Sequence, residues 1–141
     1  MQTQPSILYK DENLLAIQKP SGWLSIPDRH DPELPSIKRW LESKGEKVFI
    51  VHRIDRDTSG LLLIARNEAA HKYFNGLFQN RALKKNYYGL VTGSFDEDEG
   101  VYDQPIEEHP TIPGKMRVGR KGKAAITHYQ VEERFRGFAW I

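Results

Sequence analysis

Residues 60 to 65, GLLLIA, are an unbroken apolar run of strand length, preceded by the turn-like Thr58-Ser59-Gly60 and closed by Arg66. A short run of this kind reads as a buried strand, so the chain has to build a sheet around it. Immediately before it stands HRIDRDTS, in which Asp55 and Asp57 alternate with Arg53 and Arg56. Such a cluster at the mouth of a buried strand is either a surface ion-pair network or a carboxylate held ready for chemistry. The residue pattern alone leaves both open.

The rest of the chain supplies that sheet. Ile7-Leu8-Tyr9 and Leu14 to Ile17 flank the polar Lys10-Asp11-Glu12-Asn13 and predict a hairpin. Lys19-Pro20-Ser21-Gly22 stops its second strand, and residues 27 to 35 form a polar, proline-rich loop. Ile37, Trp40 and Leu41 recur at helical spacing and predict a short amphipathic helix over 36–44. Val48 to Val51 is a strand that runs into His52. Asn67 is the expected N-cap of a helix reaching Gln79, with Ala70, Tyr73, Phe74, Leu77 and Phe78 on its apolar face. Strands are expected within 82–92, 101–105, 116–118 and 125–131, the acidic Asp96 to Glu99 being a solvated turn. Phe135 to Ile141 reads as the start of a further strand with nothing after it to pair with, as though the sheet were cut in mid-element. No repeat, linker or low-complexity segment interrupts this order. It describes one α+β domain over residues 1–141 with a mostly antiparallel sheet.

Composition narrows the chemistry. A chain of 141 residues can bury roughly two thirds of its unfolded surface, and 38% apolar with 28% charged residues is ordinary for a globular protein. The absence of cysteine excludes disulfides and thiolate metal sites. MQTQPSILYKDEN lacks the basic flank and apolar core of a secretory signal, and no apolar stretch approaches the ~20 residues that cross a bilayer. A cytoplasmic location is expected. His52, Asp55 and Asp57 match no metal-ligand spacing and have arginines beside them, Ser59 lacks a nucleophile elbow, and Gly114 to Gly122 is no phosphate-cradling loop.

Carboxylate chemistry on a nucleic acid remains. Arg53 and Arg56 favour an ionised Asp55, which suits a nucleophile or base. Lys115, Arg117, Arg120, Lys121 and Lys123 crowd one glycine-containing loop, and Arg81, Lys84 and Lys85 precede Tyr87 and Tyr88. Basic residues for phosphates beside an aromatic face for an unstacked base are the elements of RNA recognition, although each cluster alone also fits a solvated surface.

HRIDRDTSGLLLIAR closely resembles the signature of the RluA-type pseudouridine synthases, which isomerise specific uridines in ribosomal or transfer RNA. ILYKDENLLAIQKPSGWLS is similar to the family's opening hairpin and its Lys-Pro-x-Gly turn. LKKNYYGLVTG is similar to its tyrosine-bearing segment and KGKAAITHYQV to its Ala-x-Thr-x-Tyr strand, all in the family's order. The resemblance implies a mixed, mainly antiparallel sheet with flanking helices and an RNA cleft across it. It implies that Asp55 is the catalytic aspartate, that Tyr87 packs on the base, and that no metal or organic cofactor takes part. Arg53 is expected to support the carboxylate or a phosphate, and Thr58, Ser59 and Gly60 to shape the turn presenting Asp55. The family continues into a Thr-Gly-Arg stretch and further core strands that are absent before Ile141, so the fold is expected to be incomplete at its C-terminal end. A noncatalytic RNA-binding remnant and a carboxylate-dependent glycosidic hydrolase are the competing expectations.

Overall fold

Ser6–Lys10 (β1) and Leu14–Lys19 (β2) form the expected hairpin in the computed structural model, which describes residues 3–141. Asp11 folds its turn: the carboxylate accepts the backbone N–H groups of Asn13 and Leu14, each at 2.7 Å, and the Tyr9 hydroxyl at 2.8 Å. Ile37–Glu42 (α1) follows, with the Ser36 hydroxyl accepting from Arg39 N at its start. Phe49–Ile50 (β3) and Gly60–Ala65 (β4) complete an antiparallel sheet in the order β1-β2-β4-β3, and Glu68–Gln79 (α2) comes after it. These elements make up the first of two compact units, which ends at Lys84; the second is Lys85–Ile141.

The apolar run is β4, an inner strand paired with β2 from Leu14↔Ala65 to Lys19↔Gly60. Its lack of alternation follows from being covered on both faces from Leu62 onward, Leu61 at its start staying exposed. On one face Leu62 and Ile64, with Leu15 and Ile17 of β2, pack against Ile37 and Leu41 of α1 and against Ile54. On the other, Leu63 and Ala65 meet Ala70, Phe74 and Phe78 of α2. Leu15, Ile17, Leu62 and Ile64 are wholly buried, each contributing roughly 1.5–3 kcal/mol relative to an exposed side chain.

α2 begins as expected, the Asn67 side chain accepting from Ala70 N at 2.8 Å. Tyr73 departs from the expected apolar face and is 64% exposed. Three residues on from Ala70 it lies about 60° round the helix, at the stripe's edge, whereas Phe74 lies about 40° to the other side and stays against the sheet. The helix closes through Arg81 in the left-handed region, φ 53. Arg81 N donates to Phe78 O and Ala82 N to Leu77 O, a closure in which glycine is usual.

The second unit contains strands and, among the described residues, no helix. Leu90–Thr92 (β5), Glu99–Asp103 (β6), Ile106–Glu108 (β7), Met116–Val118 (β8), Ile126–Gln130 (β9), Glu133–Phe135 (β10) and Phe138–Trp140 (β11) form three antiparallel groups: β10-β11-β5, β6-β9 and β7-β8. Among the described residues every strand pairing in both units is antiparallel, and the parallel contact is an isolated bridge between Leu24 and Ser36. Three expectations need correction. Only the end of 82–92 is strand, because Lys84 to Tyr88 lack a pairing partner for their backbone among the described residues. β6 ends at Asp103, so Gln104 and Pro105 fall outside the strand expected over 101–105, and Ile106–Glu108, where no strand was expected, is β7 and pairs with β8. Phe138–Trp140 is paired on both sides, folding back on β10 through an Arg136-Gly137 turn with Gly137 at φ 80 and lying against β5.

The first unit carries a charge cluster at the hairpin. Lys10 and Arg66 both pair with Glu46, and an Arg66 guanidinium N–H also donates to Asp11 O. The Lys10 hydrogen bond, with Arg66 adding, holds the Glu46 carboxyl below its ordinary 4.5. The amide of Asn13, then the Tyr9 hydroxyl and the Leu14 amide, hold Asp11 below 3.8. A lowered folded pKa gives stability that is present above the unfolded value and lost as pH falls through the folded one. The melting temperature followed by circular dichroism is therefore expected to be level above pH 4.5 and to fall below it. Glu46→Gln should lower the plateau and shallow the fall; an unchanged acid limb would remove Glu46 from this account.

Candidate active site around Asp55

Between β3 and β4 the backbone leaves the sheet and side chains take over its anchoring. His52 Nε2 accepts the backbone N–H of Leu63 at 2.9 Å, standing where a neighbouring strand's carbonyl would be. That bond requires an unprotonated Nε2 and so places the ring hydrogen of the neutral form on Nδ1. The same ring stacks on Phe78 with centroids 4.5 Å apart. Ser25, 3% exposed, donates its hydroxyl to Ile54 O at 2.9 Å and accepts from Ile54 N at 3.2 Å. Gly22 N donates to Arg56 O at 2.9 Å, and Thr58 N to Asp55 O at 3.2 Å.

The remaining anchor is Lys19, a fully buried lysine at the end of β2. Its ammonium donates to Pro20 O at 3.1 Å, Trp23 O at 2.6 Å and Arg56 O at 3.0 Å. Three carbonyls use all three of its donors, which is what makes a buried ammonium tolerable. Burial pushes its pKa down, while the negative charges of Asp57 and Asp55 pull it back up. The buried ammonium and the two carboxylates thus attract one another.

This anchoring decides which side chains face outward. Ile54 is drawn into the core, so Arg53 and Asp55 on either side of it are exposed, as are Arg56 and Asp57. Among the described residues none of these four forms an ion pair, so the surface salt-bridge alternative is not the arrangement adopted. Asp55, Arg53 and Arg56 instead line a cavity of about 310 Å³, whose other wall is the segment Leu24–His30. Thr58 and Ser59 form the turn that leads into β4, and Gly60 enters the strand at φ 133, a conformation that only glycine takes without strain.

The second unit holds the other expected residues. Tyr87 is 58% exposed ahead of β5, and Tyr88 beside it stacks on Trp140 with centroids 6.1 Å apart. The basic stretch is a hairpin rather than one loop. Lys115 precedes β8; Arg117, within β8, pairs with Glu107 of β7 at 2.7 Å; and Arg120, Lys121 and Lys123 lie on the return. Gly122 is required there, since a Cβ would come within 2.5 Å of the Ile106 backbone. Lys115, Arg120, Lys121 and Lys123 are exposed and unpaired among the described residues. No grouping of histidine and carboxylate side chains suited to a metal ion occurs among the described residues, and no helix is long and apolar enough to cross a membrane.

The sequence reading missed Lys19, Ser25 and His52 as anchors and the Asp28–His30 wall of the cavity. Only Lys19 carried a signal, a lysine ending the apolar LLAIQ just before a proline. The others gain their role from contacts across the chain that no local pattern shows.

Residues 13–141 match the family described as RNA pseudouridylate synthase. The chain belongs to this family. It is 36% identical to the ribosomal large subunit pseudouridine synthase D of Nitrosomonas europaea, over 92% of this chain and 39% of that protein. It is likewise 36% identical to the dual-specificity RNA pseudouridine synthase RluA of Vibrio vulnificus, over 91% of this chain and 52% of that one. Among solved structures it resembles human RNA pseudouridylate synthase domain containing 4, with a TM-score of 0.73 and 26% identity over 96% of this chain and 56% of that one. The pseudouridylate synthase fold is thus the one expected, a mainly antiparallel sheet with few helices. The chain spans about half the length of these relatives.

Lys19→Met tests the buried anchor. It keeps the stem but leaves the Pro20, Trp23 and Arg56 carbonyls short of a donor, and an unmet buried acceptor costs about 1–3 kcal/mol. The urea midpoint is expected to fall by the equivalent of about 2–3 kcal/mol. A raised midpoint would mean that desolvation of the ammonium outweighs its hydrogen bonds.

Proposed function

We propose that these 141 residues belong to the catalytic domain of an RNA pseudouridine synthase, acting on uridines of ribosomal or transfer RNA in the cytoplasm. Membership of the family supports the reaction class, and the exposed Asp55 on a rigidly anchored segment beside a cavity carries the assignment of the carboxylate. Pseudouridine formation breaks the N1–C1′ bond of uridine, turns the base and rejoins it through C5. An ionised Asp55 serves it either by adding to C1′ or by taking the C2′ proton to leave a glycal. The uridine has to leave its stack to be reached. Tyr87 is the aromatic side chain we assign to the freed base and to moving the C5 proton, and its exposure suits that use.

Arg53 and Arg56 are assigned to the backbone next to the target. Lys115, Arg120, Lys121 and Lys123 supply a further phosphate-binding stripe. Arg117 is engaged by Glu107, and its first service is to brace the hairpin bearing that stripe. The chemistry asks nothing of a metal or an organic cofactor.

Tritium release from RNA labelled at uridine C5 is the direct test. Release by this chain, with Asp55→Asn losing it by at least about 10³-fold while RNA affinity stays within about twofold, is expected. A noncatalytic RNA-binding protein is the second reading, favoured by the exposed basic residues of the hairpin and the exposed Tyr87, which would serve binding without turnover. It would bind RNA and release no tritium from either form. Free uracil in place of tritium exchange would instead reveal a hydrolase.

The basic hairpin is tested separately by salt. Replacing Arg120 and Lys121 with alanine should reduce the slope of log affinity against log salt by about 0.7–0.9 for each phosphate that the variant no longer neutralises. An unchanged slope would remove the hairpin from the RNA interface.

A further inference from the structure

The cavity beside Asp55 has a wall that none of the foregoing chemistry uses. Asp28, Arg29 and His30 line it together with Arg53, Asp55 and Arg56. The turn carrying them is built to hold its shape. One oxygen of Asp28 accepts the backbone N–H of His30 at 2.7 Å and that of Asp31 at 3.0 Å. These bonds hold its carboxyl below the ordinary value. Asp31 in turn accepts from Glu33 N at 3.1 Å, and a guanidinium N–H of Arg39 donates to Pro32 O. Leu24 N to Pro35 O and Ile37 N to Leu24 O, both 2.9 Å, pin the two ends of the loop to each other and to the start of α1. Pro27, Pro32 and Pro35 further limit the states open to it.

On this rigid turn Arg29 is exposed and forms neither an ion pair nor a side-chain hydrogen bond among the described residues, although Asp28, Asp31 and Glu33 are close in sequence. Asp28 and Asp31 have turned their carboxylates to backbone N–H groups instead. An arginine left free between carboxylates, on an ordered turn that lines the cavity of the candidate catalytic aspartate, has the chemistry of an anion contact. A cavity of about 310 Å³ is at the small end of ligand pockets and suits one nucleotide rather than a helix. Base, sugar and phosphate of one nucleotide are covalently joined, so a ribose beside Asp55 brings a phosphate to the same cavity.

We propose that the Pro27–His30 turn is part of the RNA-binding surface and that Arg29 holds a backbone phosphate next to the target uridine, working with Arg53 from the other wall. This deepens the RNA reading of the Asp55 site and rests on it. Arg29 then contributes to placing the sugar over Asp55, and the Asp28 turn is the device that presents it.

Affinity for unmodified transfer RNA and ribosomal RNA transcripts, measured by fluorescence anisotropy between about 50 and 200 mM salt, tests this. Arg29→Ala is expected to weaken binding several-fold at low salt and to reduce the log–log salt slope by about 0.7–0.9, while Arg29→Lys keeps the slope. Asp28→Ala adds a sharper arm. Removing a negative charge from an RNA site strengthens binding on electrostatic grounds alone, so weaker binding is expected only if the turn presents Arg29. Circular dichroism confirms that the variants fold. If wild type binds RNA and Arg29→Ala matches it in affinity and slope, this inference fails and the RNA reading stands. Tighter binding by Asp28→Ala overturns the role of the turn. If wild type neither binds these transcripts nor releases tritium, the RNA reading fails and takes the inference with it.

Discussion

A single buried ammonium ties together the parts of the first unit that matter for chemistry. Lys19 ends β2, and its three hydrogen bonds reach the turn that follows it and the backbone of Arg56 in the aspartate segment. An apolar side chain there would pack as well and bind none of these carbonyls. A neutral donor would lack the positive charge that the carboxylates of Asp57 and Asp55 favour. Burying that charge costs free energy through desolvation, and the three carbonyls together with the nearby carboxylates offset part of it. The segment bearing Asp55 is thus positioned by charge and hydrogen bonding, not by the apolar packing that holds the sheet.

The sheet provides the platform for that arrangement. β4 is covered by α1 on one side and by α2 on the other, and His52 hangs from its edge through Leu63 N. Ile54 is the hinge between the two kinds of cohesion. Its side chain belongs to the apolar core while its backbone is held by Ser25, so the residues on either side are turned outward. Asp55 gains rigidity from a core it does not enter.

The elements with strong local signals were legible in the sequence. GLLLIA as a buried strand, Asn67 as an N-cap and the KDEN hairpin all follow from patterns within a few residues, and each stands where expected. Legibility falls in the second unit, whose strands are short and paired over distance. β7 was invisible because Ile106-Glu107-Glu108 has no strand pattern of its own and exists by pairing with Met116–Val118. The same reasoning explains the basic cluster, read as one loop but divided by β8, with Arg117 taken up by Glu107. At the site, HRID pointed to the carboxylate, yet its anchors Lys19, Ser25 and His52 come from cross-chain contacts that a local reading does not see.

Because the aspartate segment is moored by side chains and not by a backbone ladder, its position is open to change one residue at a time. A strand's place in a sheet is set by many equivalent bonds, and moving it disturbs them all. Here Ser25 governs Ile54, while Lys19 and Gly22 govern Arg56. A substitution at one mooring can shift or loosen the carboxylate while the register of β2 on β4 stays whole. The fold therefore separates the part that must stay constant from the part where small displacements alter reactivity, and leaves the second adjustable.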